Sequence, residues 1–381
     1  MYFLDTAATT NIDKDMFMEL AAKYCEEDWY NPSSSYAENV KNEIEDVRRK
    51  IADCIDCNSD EIYFNSGSSE GNSTVIQGFI KQTLADGFHP VVITTRLEHA
   101  SVLKCVEDLV EDLHFIKIQK DGKINLESLE NLLKYTTKKE NKVLVSIQFV
   151  NNEIGVVQDL KRISDLVHNY GALLHTDATQ AFGKFLCSQK KYGYDFLTAS
   201  GHKVHALKGI GFMYKRKDVN LKPIIYGEQE HGLRGGTQNT LGILSLSYCN
   251  AVISPDIEMK KMYFIRQLEE NKIDFNVNCY NKNTMSINYV SGTPSTILSI
   301  TFNGVNAEAL MYSLETDNIF VSLGSACSAP DEKISETLKA VGLDEMKIKQ
   351  TIRFSFPDEI SFTEIDILAN KIKKHIDVIK K

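Results

Sequence analysis

Short apolar runs alternate with amphipathic helical stretches over the first two-thirds of the chain, and this alternation narrows the possible folds more than any other feature. Residues 61–64, 91–95, 115–118, 143–150, 172–176, 195–199 and 209–214 read as strands, being short apolar runs set between helical stretches. Ahead of them, Val40, Ile44, Val47, Ile51 and Ile55 recur on one face of a helix. Such a pattern predicts an α/β fold in which a mainly parallel, seven-stranded sheet carries helices on both faces.

The last third changes character. A charged helix over residues 255–272 leads into short strands near 275–277, 285–289 and 297–302. Helices follow around 307–317, 333–341 and 363–379. That reads as a smaller α+β domain. With 381 residues the chain is long enough for two cores. The expected division gives residues 13–252 to the large domain, and residues 1–12 with 253–381 to the small one.

Charge and termini exclude some functions. A net charge of -9 disfavours general attraction to nucleic acid or anionic membranes. The lysines at 138, 139 and 142, and those at 371, 373 and 374, read as solvated faces. Met1-Tyr2-Phe3-Leu4-Asp5 lacks the basic and apolar segments of a targeting signal. No stretch approaches the roughly 20 apolar residues that span a bilayer. A cytoplasmic protein is expected, with its eight cysteines mostly free thiols. Cys54 and Cys57 form a lone C-x-x-C at a helix end, which reads as structural since no second pair completes a zinc site.

In open α/β sheets, ligands bind beyond the carboxyl ends of the strands. Here those ends deliver Ser66-Gly67-Ser68-Ser69-Glu70, Glu98-His99, Asn151-Asn152-Glu153, Asp177 and Ser200-Gly201-His202-Lys203. The Gly67-Ser68-Ser69 turn suits either an anion at a helix N-terminus or a plain helix cap. Asp177 is either a turn aspartate or the partner of a heterocyclic nitrogen. Lys203 is either a surface lysine or, set between a strand end and a glycine-rich return strand, a Schiff-base lysine. Cys327 lies among small residues in Gly324-Ser325-Ala326-Cys327-Ser328-Ala329-Pro330, and it is either an ordinary cysteine or a reachable thiolate. Arg353 interrupts an apolar strand, and it either pairs with a structural acid or clamps a ligand carboxylate.

Together these residues resemble the cysteine desulfurases, pyridoxal-phosphate enzymes of the fold-type I aminotransferase class, in the branch with a Gly-Ser-Ala-Cys loop. The resemblance runs from Tyr2-Phe3-Leu4-Asp5-Thr6-Ala7-Ala8-Thr9-Thr10 to Ile352-Arg353-Phe354-Ser355. Its strongest motifs are His175-Thr176-Asp177-Ala178-Thr179-Gln180 and Ser200-Gly201-His202-Lys203, supported by Asn151-Asn152-Glu153-Ile154-Gly155 and Arg234-Gly235-Gly236-Thr237-Gln238-Asn239. It implies that Lys203 holds the cofactor and moves the substrate's α-proton, while His99 stacks on the ring and assists. It implies Asp177 at the ring nitrogen and Gln180 at the phenolic oxygen. Ser68, Ser69, Ser200 and His202 would hold the phosphate, with Thr237 reaching in from the partner of a homodimer. Asn152 and Arg353 would grip the substrate carboxylate. Cys327 would take the sulfur of L-cysteine as a persulfide and pass it to a protein acceptor in iron–sulfur cluster assembly or tRNA thiolation.

The chain departs from the family at three places. The histidine and glycine usual after Asn-Pro-Ser-Ser are replaced, so that Asn31-Pro32-Ser33-Ser34-Ser35 runs on into Tyr36, Ala37, Glu38 and Asn39. The usual Ala-Thr-Glu-Ser phosphate turn is Ser68-Ser69-Glu70-Gly71, and Leu207 stands where a proline is usual. Two other readings share part of the pattern: a selenocysteine lyase or other class V aminotransferase, and a non-enzymatic scaffold for sulfur-transfer partners.

Overall fold

The computed structural model describes residues 1–26, 30–248, 256–279, 295–324 and 334–380. Its strands are β1 (Tyr2–Phe3), β2 (Ile62–Asn65), β3 (His89–Thr94), β4 (Asp112–Phe115), β5 (Asn141–Ser146), β6 (Leu173–Asp177), β7 (Phe196–Ser200), β8 (Gly211–Lys215), β9 (Phe275–Val277), β10 (Ile297–Phe302), β11 (Ile319–Phe320) and β12 (Thr351–Ser355). A seven-stranded sheet has the order β2-β8-β7-β6-β5-β3-β4. Its pairs are parallel from β7 across to β4, whereas β8 runs antiparallel between β7 and β2. Every residue of β7 is buried, as expected for a strand covered on both faces.

The helix Glu38–Cys54 buries Val40, Ile44, Val47 and Ile51, the stripe read from the sequence. Strand bounds differ from the apolar runs where pairing decides. The run at 115–118 is strand only at its first residue, because β4 pairs with β3 from Val91↔Asp112 to Thr94↔Phe115. β3 ends there, and Ile118 bridges to Ile124 instead. The ladder of β5 stops at Ser146, yet the chain stays extended: Ile147 and Phe149 donate to the carbonyls of His175 and Asp177 at 3.0 and 2.9 Å.

A second apolar core joins Ile300, Leu310, Phe354 and Leu368, and Leu4 belongs to it. It rests on a three-stranded antiparallel sheet, β12-β10-β9, while β1 pairs with β11. The N-terminal strand thus packs with the last third of the chain. The helix expected over 333–341 is Glu336–Ala340, because Ser335 caps it by accepting from Leu338 N at 3.1 Å. The strand expected at 285–289 and the boundary near 252 lie outside the described residues. Among the described residues, no helix is long and apolar enough to cross a membrane.

Candidate active site

Two strand ends meet across one glycine. Asn65 of β2 and Ser200 of β7 both stand opposite Gly211 of β8. A Cβ at Gly211 would lie 2.4 Å from the Ala199 carbonyl oxygen and 2.6 Å from Gly67 Cα. Gly67 itself has φ +142° and would set a Cβ 3.2 Å from Ser200 Oγ, so a side chain is excluded twice. From this pinch the helix Ser68–Ala85 starts, beside a cavity of about 420 Å³ lined by Ser66, Ser68, Ser69, Ser200, His202 and Lys208. Free first-turn N–H groups, four hydroxyls and a lysine suit an anion such as a phosphate.

Charge in the cradle is arranged for the same end. Glu70 would repel an anion, but Arg234 binds it at 2.9 and 3.3 Å. Burial opposes ionisation of Glu70; the bonds from Arg234 and Ser66 outweigh it and hold the carboxyl below its usual range. His202 is pushed down to about 4 by burial and by the charges of Lys203, Lys208 and Lys184, which makes the cradle's imidazole neutral before an anion arrives. A bound anion would act in the opposite direction.

Deeper along the strand ends, Asp177 is buried at the end of β6, with Oδ2 accepting from Asn72 Nδ2 at 2.8 Å and Oδ1 from Thr179 N at 2.9 Å. Lys203, half-buried in the turn after β7, donates Nζ to the carbonyls of Ala7 and Ala8. Gln180 donates to the same Ala7 carbonyl at 2.8 Å. His99 caps the helix Ala100–Leu109, and its Nδ1 lies 2.9 Å from Ser101 Oγ.

Of the two readings of Arg353, the pairing with an acid is seen here. Nη2 pairs with Asp5 at 2.6 Å, and Nη1 donates to the carbonyls of Asn152 and Gly324 at 2.9 and 2.7 Å. Its buried Nε has no acceptor among the described residues. Asn152 is half-buried beside it. Glu153, whose carboxyl burial pushes up, accepts from Ser335 at 2.5 Å, and a Cβ on Gly324 would lie 2.9 Å from its Oε2. Arg353 and Glu153 thus hold Gly324 and Ser335, either side of the segment carrying Cys327. Cys327 itself lies outside the described residues. Thr237 is exposed and does not line the cavity of its own chain.

Sequence reasoning passed over Asn72, the Ala7 and Ala8 carbonyls and the Arg234–Glu70 pair. The N-terminal Thr-Ala-Ala-Thr run was the one available signal for the carbonyls. Asn72 looked like any polar residue inside a helix.

Two family departures have local causes. A Cβ on Gly71 would lie 2.8 Å from Thr198 Cγ2, so serine does not fit where glycine stands. Leu207 N–H donates to Ser245 Oγ at 3.1 Å, a bond that proline cannot make.

The family described as Aminotransferase class-V matches residues 2–368. A protein named cysteine desulfurase IscS from Dictyoglomus turgidum is 30% identical over 98% of this chain and 94% of its own. A mitosomal cysteine desulfurase from Trachipleistophora hominis is 34% identical, over 92% and 80% respectively. Among solved structures, a NifS-like protein superposes with a TM-score of 0.86 at 26% identity, covering 99% of each chain. A structure titled SspA in complex with cysteine gives 0.79 at 30% identity, over 94% of this chain and 99% of that one.

Proposed function

Because the chain belongs to the class V aminotransferase family and, within it, to the cysteine desulfurases, we propose that it binds pyridoxal 5'-phosphate on Lys203 and converts L-cysteine to L-alanine. The observation that carries this reading is the convergence of Lys203, buried Asp177 and the hydroxyl-lined anion cradle at one edge of the sheet. Bound pyridoxal phosphate supplies an electron sink for the pair left when the substrate's α-proton is removed. Ser68, Ser69, Ser200 and His202 hold its phosphate, Asp177 faces the ring nitrogen, Gln180 the phenolic oxygen, and His99 the ring face.

Lys203 Nζ takes the α-proton and returns a proton. The Cys327 thiolate attacks the substrate sulfur: a bond from Sγ to that sulfur forms as the substrate's Cβ–S bond breaks. The electron pair of the broken bond stays with Cβ, which gains a proton and becomes the methyl group of alanine. Cys327 is left as a persulfide, and a cytoplasmic protein acceptor collects its outer sulfur for iron–sulfur assembly or tRNA thiolation. The active unit is a homodimer in which Thr237 of the partner subunit completes the cradle. A monomer sedimenting with full activity would remove that role.

Asn152 and Arg353, whose Nε lacks an acceptor among the described residues, grip the substrate carboxylate. Arg353→Lys keeps a charge for Asp5 but loses the Nε donor. A charge-assisted bond is worth about 1.5–3 kcal/mol. Cysteine binding should therefore weaken roughly ten- to hundredfold, at about 1.4 kcal/mol per decade, while cofactor absorbance is retained. Unchanged cysteine affinity would make Arg353 a structural residue only.

A further inference from the structure

Asn72 is wholly buried on the first turns of the helix Ser68–Ala85, and its amide is bonded on every side. Its Nδ2 donates to Asp177 Oδ2 at 2.8 Å and to Ser101 Oγ at 2.9 Å. Its Oδ1 accepts from Thr198 Oγ1. The orientation of the amide follows from these partners, since a carboxylate oxygen can only accept.

That orientation propagates in one direction. Thr198 spends its hydroxyl hydrogen on Asn72, so toward His175 Nε2, 3.4 Å away, it accepts. His175 Nδ1 is then free to accept from Ser146 Oγ at 2.8 Å. Burial pushes His175 down, which agrees with a neutral ring that donates on one side and accepts on the other. At the far end, Ser101 Oγ accepts from Asn72 and is left with its own hydrogen for His99 Nδ1, where the Ser101 backbone N–H also points at 3.2 Å. With Nδ1 accepting twice, the ring proton of neutral His99 sits on Nε2. Glycine at 71 belongs to the same device, because it lets the helix approach Thr198 closely enough for the Asn72 amide to bridge.

We propose that Asn72 is a positioning residue that fixes the carboxylate of Asp177 and, through Ser101 Oγ, strengthens the His99 tautomer that the Ser101 backbone N–H already favours. The roles of those two residues rest on the proposed function; the tautomer does not. Asn72→Asp nearly conserves shape but sets a second carboxyl beside Asp177, so that the pair shares one proton and residue 72 has none left to donate to Ser101. Ser101 Oγ then donates to residue 72, and His99 Nδ1 keeps only the Ser101 backbone N–H, so its preference for the Nε2-protonated ring weakens.

The test uses the full-length protein labelled with ¹⁵N-histidine, as purified and after removal of pyridoxal phosphate. Wild type should show His99 protonated at Nε2 and bare at Nδ1, and Asn72→Asp should show a raised fraction protonated at Nδ1. In the loaded enzyme the same variant should lose kcat by at least about tenfold, the lower part of the range for a positioned proton-transfer group, with KM for cysteine within about twofold. Thr198→Val keeps side-chain shape and removes only the bond that holds Oδ1; its kcat should fall about three- to tenfold, the loss of one neutral hydrogen bond. His99 protonated at Nδ1 in the wild type, or an unchanged tautomer and kcat in Asn72→Asp, would overturn the proposal. Because the tautomer is also read without cofactor, it holds or fails independently of the reaction.

Discussion

Lys203→Ala protein supplied with L-cysteine is expected to form alanine at least about 10²–10⁴-fold more slowly than wild type, the range for loss of a positioned proton-transfer group. The turn keeps its backbone bonds without the amine, although Nζ also donates to the Ala7 and Ala8 carbonyls. The turn is held by Thr10 N donating to the His202 carbonyl at 2.9 Å and by His205 N donating to Thr10 Oγ1 at 2.8 Å. The variant should therefore keep its circular dichroism. It should also lack the yellow colour that borohydride would fix to the Lys203 peptide in wild type. Two other lysines are close enough to be named as rivals. Lys208 is exposed at the mouth of the cavity. Lys184, bonded to Gln180 Oε1 at 3.2 Å, is pushed down to about 8 by burial and the neighbouring charge of Lys203. Activity within tenfold of wild type, or borohydride labelling at either rival, would reassign the role.

Cys327→Ala should leave cofactor binding intact and reduce sulfide release in the presence of reductant to the background of the cofactor alone. Five of the other cysteines are poor substitutes. Burial pushes the Cys57 and Cys279 thiols up to about 12, and raises Cys187 further still, so each is protonated at neutral pH. Cys54 and Cys105 are also raised by burial. Arg353 and Glu153, by contrast, hold Gly324 and Ser335 on either side of the segment that bears Cys327. A variant that desulfurates cysteine at the wild-type rate would remove the persulfide step and favour chemistry of the selenocysteine lyase kind. A colourless wild-type protein without activity would instead favour a scaffold.

The central sheet was legible because β-branched runs and a 3.6-residue stripe such as Val40, Ile44, Val47 and Ile51 are written locally. Ends of strands were less so. β4 begins at Asp112 because of the register of β3, which no property of residues 112–118 announces. The site divides in the same way. Lys203, Asp177 and the Ser68-Ser69 turn sit at strand ends, so topology alone gathers them. Asn72 meets Asp177 across 105 positions and Arg353 meets Asp5 across 348. Such contacts exist only after packing, and one side chain's composition does not betray them. Leu207 and Gly71 looked like departures until the Ser245 hydroxyl and the Thr198 methyl gave them partners.

The most direct measurement is a single turnover: purified, cofactor-loaded protein mixed with one equivalent of L-cysteine without reductant, then analysed for alanine and for the mass of every cysteine peptide. One alanine formed per sulfur atom added to the Cys327 peptide is the result expected here. Pyruvate and ammonia in place of alanine, or the added sulfur on a peptide other than that of Cys327, would contradict it.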